Sequence, residues 1–218
     1  MLKIYGADLS SPANKVRFTA NYIGLDFEYV QVKIREGEHR KPEFLAINPV
    51  GKIPVIDDDG FKLFESNAIC KYLSCKHKSD LYPPDFKEQA VVDQWIDFVT
   101  MHVQAAYGRV LFNRVFAPFA KVAVDENSLA DGLKFLNRFL PVVNERLGQF
   151  DNLAGDKFSL ADIVLVATLD PTEVAQVDIA PYENIVKWRN NQKQQAYYTK
   201  TYKEYGEPLK KMQAQQQQ

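Results

Sequence analysis

Positions 51–66, GKIPVIDDDGFKLFES, combine an unusually placed proline with an acidic and polar pair that could together bind a ligand. Proline has no amide hydrogen, so Pro54 does not belong inside the strand-like run that begins at Ile53. A cis peptide between Ile53 and Pro54 would turn the Ile53 N–H and C=O outward, where an extended peptide could pair with them. Glu65 and Ser66 follow the next strand and begin a helix, whose free amides favour a carboxylate, while Glu65 could hold an amine.

The ligand that fits these groups is an amino acid with a free α-amine and α-carboxylate, joined to an extended peptide. Glutathione meets that description because its γ-linkage leaves both α-groups exposed. A simpler interpretation is that Ser66 only caps the helix and that the Glu65 carboxylate is solvated. The residues alone leave both interpretations open.

Two serines near the amino terminus could help such a ligand's thiol to ionise. Ser10 and Ser11 lie between a predicted strand and a helix that starts near Pro12, a residue suited to the first helical position. A hydroxyl that donates to sulfur beside a helix N-terminus lowers a thiol pKa from its usual value of about 8.5. A decrease of about two units requires about 2.7 kcal/mol, which one strong hydrogen bond and the helix dipole could supply. Alternatively, either serine is simply the helix cap.

The pattern of the first eighty residues predicts a small α/β domain with a mixed sheet. Apolar residues recur at three- and four-residue steps from Ala13 to Ile23, and Gly24 ends that helix. The turn signal DDDG joins two short strands, and a further helix runs from Ser66 to about Ser74. The predicted strands are 2–5, 27–32, 53–56 and 61–64.

The remainder of the chain shows only helical periodicity. One long helix is predicted over 86–117, ended by Pro118, and another over 125–150. Ser159 and Asp162 form a capping box before the apolar run of FSLADIVLVATL, which predicts a buried central helix. The predicted organisation is a domain over 1–77, a linker over 78–86, an all-helical domain over 87–207 and a disordered, glutamine-rich tail over 208–218.

Composition argues against several classes of function. The net charge is −1 with mixed signs, which gives no reason to expect nucleic acid as a partner. No apolar run reaches membrane-spanning length and no export signal begins the chain, so we expect no membrane association. Cys70 and Cys75 are expected to be reduced thiols of a cytoplasmic protein, and with His77 they lack a fourth metal ligand, so no metal is predicted.

The block at 37–73, GEHRKPEFLAINPVGKIPVIDDDGFKLFESNAICKYL, closely resembles the glutathione-binding half of cytosolic glutathione transferases, especially the phi and theta-like, serine-type groups. The prolines before the helical remainder and the FSLADI cap also match that family's layout. The resemblance therefore covers nearly the whole chain. It implies an α/β thioredoxin-like N-terminal domain plus an all-α C-terminal helical domain.

The resemblance also implies roles for individual residues. Ile53, before Pro54, would pair through its backbone with the cysteinyl part of glutathione, and Glu65 with Ser66 would hold the γ-glutamyl end. The cations expected near the glycyl carboxylate or before the strand are His39, Arg40 and Lys52, although such charges are often solvated.

The family pattern selects Ser10 as the catalytic hydroxyl, two residues before the proline, with Ser11 as the alternative. Asn14 and Asn67 stand where that family commonly has arginine. A small apolar electrophile would lie between Ser10 and the long helix, where three aromatic residues could line its pocket or could simply pack in the core. They are Tyr107, Phe112 and Phe116.

The implied function is conjugation of the glutathione thiolate to small apolar electrophiles, with glutathione peroxidase activity as a second reaction on glutathione. The resemblance further implies a homodimer. Two alternatives share the scaffold. One is a non-catalytic interaction module, similar to the gamma subunit of a translation elongation complex or to bacterial stress regulators. The other is a specialised thiol-dependent isomerase or dehalogenase.

Overall fold

A four-stranded mixed sheet forms the centre of the first part of the chain. The computed structural model describes residues 1–207, so the predicted tail at 208–218 lies outside the described residues. The strand order is β2-β1-β3-β4, with β1 parallel to β2 and antiparallel to β3, and β3 antiparallel to β4. The strands are β1 Leu2–Gly6, β2 Phe27–Gln31, β3 Val55–Asp58 and β4 Phe61–Phe64.

The third strand begins later than the sequence predicts. Its start was predicted at residue 53, but β3 begins at Val55 and extends to Asp58, so Ile53 and Pro54 precede the sheet. Because β3 continues to Asp58 and β4 begins at Phe61, the hairpin turn contains two residues and not the four of DDDG. These two residues are Asp59 and Gly60, and both have positive φ, 52° and 94°. Ile53 and Pro54 are therefore outside the sheet's hydrogen bonding, as a ligand-binding role requires.

Three helices accompany the sheet, and the chain between β2 and β3 also contains 3-10 turns at Ile34–Glu36 and Glu38–Arg40. The first helix presents the predicted apolar face to the interior, where Ala13, Val16 and Ala20 are fully buried. It ends, as predicted, at Gly24, whose φ of 81° is left-handed and favours glycine. The helices are α1 Ser11–Ile23, α2 Pro42–Leu45 and α3 Ser66–Lys76.

Packing of the described residues divides the chain into two units, one formed by Met1–Tyr82 together with 195–207, and one formed by Pro83–Gln194. The boundary at Tyr82 lies within the predicted linker. The sequence interpretation placed 195–207 in the helical domain, whereas the structure packs the described part of this segment against α1. The reason is aromatic packing, because the Phe18 ring stacks on Tyr198 with centroids 5.2 Å apart and meets Tyr197 edge-on at 5.8 Å.

The second unit is helical, as predicted, but its first helix is longer and less regular than expected. It contains π-helical turns at Val99–Gln104 and Phe112–Phe116, and it continues past Pro118 to Ala120. Lys121 then ends it with a left-handed φ of 54°. Pro118 was predicted to end the helix. It is accommodated because it lies in the first turn of a new α-helical segment, where no amide hydrogen is required.

The other predicted helices are present. Asp125 caps the helix at Glu126–Gln149, and the Ser159–Asp162 capping box begins the central helix, in which every residue is buried. Within residues 1–207 no helix combines the length and apolarity needed to cross a membrane. The helices of this unit are α4 Phe86–Phe98, α5 Ala105–Leu111, α6 Ala117–Ala120, α7 Glu126–Gln149, α8 Leu160–Leu169 and α9 Glu183–Gln192, and the short α10 Ala196–Thr199 belongs to the first unit.

Candidate functional site

The sheet topology brings the predicted ligand-binding segments to one end of the first unit. Tyr5 at the end of β1 pairs with Val55 at the start of β3, which in turn pairs with Phe64 at the end of β4. Because β2 runs parallel to β1, its carboxyl end lies at the same edge. The segments that carry Ser10, Ile53 and Glu65 therefore leave or enter the sheet side by side.

Ile53 provides the free backbone edge that the sequence predicts. The Ile53-Pro54 peptide is cis, so that prediction is confirmed. Across the described part of the chain, neither the N–H nor the C=O of Ile53 pairs with another backbone group. Ile53 is partly exposed while Pro54 is buried. An extended ligand could accept from and donate to these two groups, as an added strand does.

Glu65 and Ser66 form an uncapped helix N-terminus beside this edge. Ser66 is the first residue of α3, and the preceding Glu65 makes no side-chain capping bond and stays exposed. Glu65 has φ 70° and ψ 107°, a left-handed conformation that costs an ordinary residue about 1–3 kcal/mol. Such strain is concentrated at ligand sites, and the exposed Glu65 carboxylate beside the start of α3 could hold the amine of a zwitterionic ligand.

Lys15 supports this helix start from behind, a contact that sequence reasoning missed. Its Nζ donates to Asn67 Oδ1 at 2.6 Å and to Ser66 Oγ at 3.3 Å. Burial lowers the pKa of Lys15 to about 8, an effect that the nearby Glu65 and Cys70 oppose. Asn67, which stands where the family commonly has arginine, therefore accepts a hydrogen bond from a cation on α1. The sequence shows Lys15 and Arg17 on either side of Val16 in an amphipathic helix, and that pattern does not reveal which of the two cations is buried.

Ser10 is the N-cap of α1, and its Oγ accepts from the Ala13 amide at 3.3 Å. Ser11 is the first helical residue, and both serines are partly exposed. The cap uses a lone pair of the Ser10 oxygen, so its hydroxyl hydrogen can still donate to a ligand. The capping and catalytic interpretations of Ser10 are thus compatible, because they use different parts of one hydroxyl group.

The loop that carries Ser10 is held by side chains from α1 and from the returning carboxy-terminal segment. Asn14 Nδ2 donates to the Asp8 carbonyl at 2.8 Å, and Arg17 donates to the Asp8 carboxylate at 3.0 Å. The Tyr205 hydroxyl donates to the Leu9 carbonyl at 2.5 Å. This loop is therefore fixed on both sides of its backbone, and Asn14 acts on it directly. The contact from Tyr205 could not be anticipated because it spans nearly the whole sequence.

The predicted cations lie on the segments around Gly51. Arg40 and Lys52 are exposed, and His39 is partly buried with no hydrogen-bond partner for its Nδ1 within residues 1–207. A Cβ at Gly51, whose φ is 63°, would lie 3.1 Å from the His39 carbonyl oxygen, so these two segments are in close contact. Asn48 Nδ2 donates to the Lys52 carbonyl at 2.6 Å and thereby orders the chain just before Ile53.

The three aromatic residues predicted near the electrophile differ in exposure. Tyr107 is 2% exposed and its hydroxyl shares a 2.5 Å hydrogen bond with Thr172, so it packs in the interior of the helical unit. Burial also raises the Tyr107 pKa. Phe112 is 49% exposed and Phe116 is partly exposed. Only the two phenylalanines therefore present ring surface that an apolar molecule could contact.

Comparison with known proteins gives consistent matches over most of the chain. Residues 1–74 match the family described as Glutathione S-transferase, N-terminal domain, and residues 103–195 match Glutathione S-transferase, C-terminal domain. Glutathione S-transferase 1 of Zea mays is 34% identical over 191 residues, which is 86% of this chain and 89% of the maize protein.

Two solved structures illustrate the structural similarity. Glutathione transferase F2 of Populus trichocarpa superposes with a TM-score of 0.86 at 29% identity, covering 92% of this chain and 97% of that one. Glutathione S-transferase I from maize, in complex with an atrazine glutathione conjugate, gives a TM-score of 0.83 at 32% identity, covering 92% of this chain and 95% of that one. These matches confirm the fold class that the sequence predicts.

Proposed function

Because this chain belongs to the glutathione S-transferase family and is a glutathione transferase, we propose that Ser10 stabilises the thiolate of glutathione at the carboxyl end of β1. The observation that carries the proposal is the convergence of Ser10, the open Ile53 backbone and the Glu65-Ser66 helix start at one end of the sheet.

Glutathione binding uses these groups in order along the tripeptide. The Ile53 N–H and C=O pair with the cysteinyl backbone. The γ-glutamyl carboxylate accepts from Ser66 and the first-turn amides of α3, while its ammonium meets the exposed Glu65 carboxylate. Arg40 and Lys52 are exposed cations suited to the glycyl carboxylate, and His39 lies on the same segment as Arg40.

Ser10 then acts on the sulfur. Its hydroxyl donates to the thiolate, and the amino terminus of α1 adds a positive potential, so the thiol releases its proton to solvent near neutral pH. The thiolate attacks the electrophilic carbon and forms a carbon–sulfur bond. The bond to the leaving group breaks, and the leaving group takes the electron pair. Ser11 is the alternative donor, and it is distinguished from Ser10 by substitution.

The electrophile is proposed to be small and apolar, with Phe112 and Phe116 among the residues that contact it. The solved structure of maize glutathione S-transferase I contains a glutathione conjugate of atrazine, and atrazine is an example of such an electrophile. Reduction of organic hydroperoxides by two molecules of glutathione would use the same thiolate. The relatives named above carry glutathione transferase names, and none of them supports the interaction-module, isomerase or dehalogenase alternatives.

Calorimetry and a conjugation assay test this proposal together. Wild-type protein should bind glutathione and conjugate it to a chlorodinitrobenzene. Ser10→Ala should retain binding but lose activity about 10- to 100-fold, because a hydrogen bond to a charged group contributes about 1.5–3 kcal/mol. Ser11→Ala is the matched control and should remain close to wild type. Absence of heat with millimolar glutathione would overturn the proposed binding, and a larger loss in Ser11→Ala would transfer the role to Ser11.

Two further properties are proposed from family membership. We propose that the protein is a homodimer, which light scattering would report as twice the chain mass of 25.0 kDa. We also propose a cytoplasmic location, which fractionation of the source cells would test.

A further inference from the structure

Lys15 is a buried cation without a matching anion. Its side chain is 1% exposed, and within residues 1–207 no carboxylate lies within salt-bridge distance of its Nζ. Its two hydrogen-bond partners, Ser66 Oγ and Asn67 Oδ1, are neutral. An ammonium group has three donors and is costly to bury unless its charge is compensated. A ligand that supplies the missing negative charge would compensate it.

The position of Lys15 indicates where that charge arrives. Lys15 lies on α1 and reaches across to the first two residues of α3, so its charge adds to the helix N-terminus. The charged and titratable groups that influence it are the Glu65 carboxylate and the Cys70 thiol, both from the α3 side. Glu65 is exposed and directed to the ligand's amine in the proposed complex, so it does not replace a bound carboxylate.

We propose that Lys15 is a positioning residue for the γ-glutamyl carboxylate of glutathione, acting through Ser66. This inference rests on the proposed function, because it assigns a role within the same binding site. Ser66 Oγ accepts the Lys15 hydrogen bond, so the single hydroxyl hydrogen of Ser66 is left to point at the ligand. The ammonium also polarises the hydroxyl and strengthens its bond to a carboxylate. Specificity for a negatively charged γ-glutamyl end follows from this relay.

A ligand pair separates this role from a structural one. S-methylglutathione keeps the γ-glutamyl carboxylate, whereas an analogue with a carboxamide there has lost the charge. Calorimetry at neutral pH compares wild type, Lys15→Met and Lys15→Arg, with Lys62→Met as the control for removing an exposed lysine of the same unit. Lys15→Met should bind S-methylglutathione about ten-fold or more weakly than wild type, and both proteins should bind the carboxamide with equal affinity. Lys15→Arg should recover part of the loss, and Lys62→Met should match wild type.

Kinetics add a second distinguishing signature. In Lys15→Met, the KM for glutathione should rise about ten-fold or more while kcat at saturating glutathione and the pKa of the bound thiol stay at wild-type values. Ser10→Ala should give the opposite result, with a changed thiol pKa and little change in affinity. An equal loss of affinity for S-methylglutathione and for the carboxamide analogue in Lys15→Met would overturn the inference and leave the proposed function intact. Unchanged affinity of Lys15→Met for S-methylglutathione would do the same. Failure of the wild type to bind S-methylglutathione would instead overturn the proposed function and the inference with it.

If Lys15→Met does not fold, the wild type provides the test by itself. The ε-methylene resonance of isotope-labelled Lys15, followed against pH, should titrate at a higher pH when S-methylglutathione is bound, and the carboxamide analogue should leave it unchanged. An identical titration with and without S-methylglutathione would overturn the role assigned to Lys15.

Discussion

Replacing Lys15 by methionine should stabilise the protein while it weakens glutathione binding. Burial lowers the Lys15 pKa from 10.5 to about 8. That difference of about 2.5 units corresponds to about 3 kcal/mol, by which the folded protein disfavours the charged form. Methionine has a similar length, carries no charge and suits a buried site. The gain is reduced by about 1 kcal/mol for each of the hydrogen bonds to Ser66 and Asn67 that are lost, so a net stabilisation of about 1 kcal/mol is expected at neutral pH.

The pH dependence is the sharper part of this prediction. Because the folded-state pKa of Lys15 lies below the unfolded value, the unfolded chain holds this proton to higher pH. The penalty is therefore complete below about pH 8 and is relieved as the pH rises toward 10.5. Over that interval the free energy of unfolding of wild type should rise relative to that of Lys15→Met by up to about 3 kcal/mol, so the variant should be the less stable protein at the alkaline end. The Cys70 thiol, whose pKa burial raises to about 11, is present in both proteins, so its own titration largely cancels in the difference.

Urea unfolding of wild type, Lys15→Met and the exposed-site control Lys62→Met, repeated from neutral to alkaline pH, measures these free energies. Lys62→Met should follow wild type at every pH. A constant difference between Lys15→Met and wild type across the interval would refute the reasoning, because it would mean that Lys15 titrates alike in the folded and unfolded chains.

Three further predictions concern single contacts. Tyr205→Phe removes the bond to the Leu9 carbonyl, so it should raise the bound-thiol pKa by less than Ser10→Ala does and leave glutathione affinity unchanged, as thiolate absorbance and calorimetry would report. An unaltered thiol pKa would show that this bond does not position the Ser10 loop. Glu65→Gly should stabilise the fold by about 1 kcal/mol, because glycine tolerates φ 70°, and it should weaken glutathione binding. Urea unfolding would measure the first effect and calorimetry the second. A variant less stable than wild type would contradict the strain argument. Asp162→Asn should destabilise the protein by about 2–3 kcal/mol in urea unfolding. One carboxylate oxygen accepts from the Leu153 amide and the other from the amide and hydroxyl of Ser159, whereas an asparagine side chain has only one accepting oxygen. A loss of stability no larger than that of an ordinary surface substitution would argue against this role of Asp162 at the start of α8.

Features encoded over a few residues were predictable from the sequence. Pro54 conflicts with a strand interior, and that local conflict predicted both the cis peptide and the open backbone of Ile53. The pair Ser159 and Asp162 predicted a helix start because a capping box depends only on spacing. The same locality explains the correct placement of Ser10 before α1.

Features that depend on distant packing were not predictable. Lys15 is buried because α1 packs on α3, and a single lysine in a helix pattern normally indicates an exposed face. The segment at 195–207 was grouped with the helical domain because its periodicity is helical, whereas Tyr197 and Tyr198 instead cover Phe18. Pro118 was taken as a helix end because the π-helical turn that precedes it leaves no sequence signature.

The pKa of the glutathione thiol in the bound state tests the central claim most directly. Thiolate absorbance followed against pH should place it about two units below the free value of about 8.5 in the wild type and in Ser11→Ala, and close to the free value in Ser10→Ala. A wild-type complex whose thiol titrates like free glutathione, or a Ser10→Ala complex that titrates like wild type, would contradict the account.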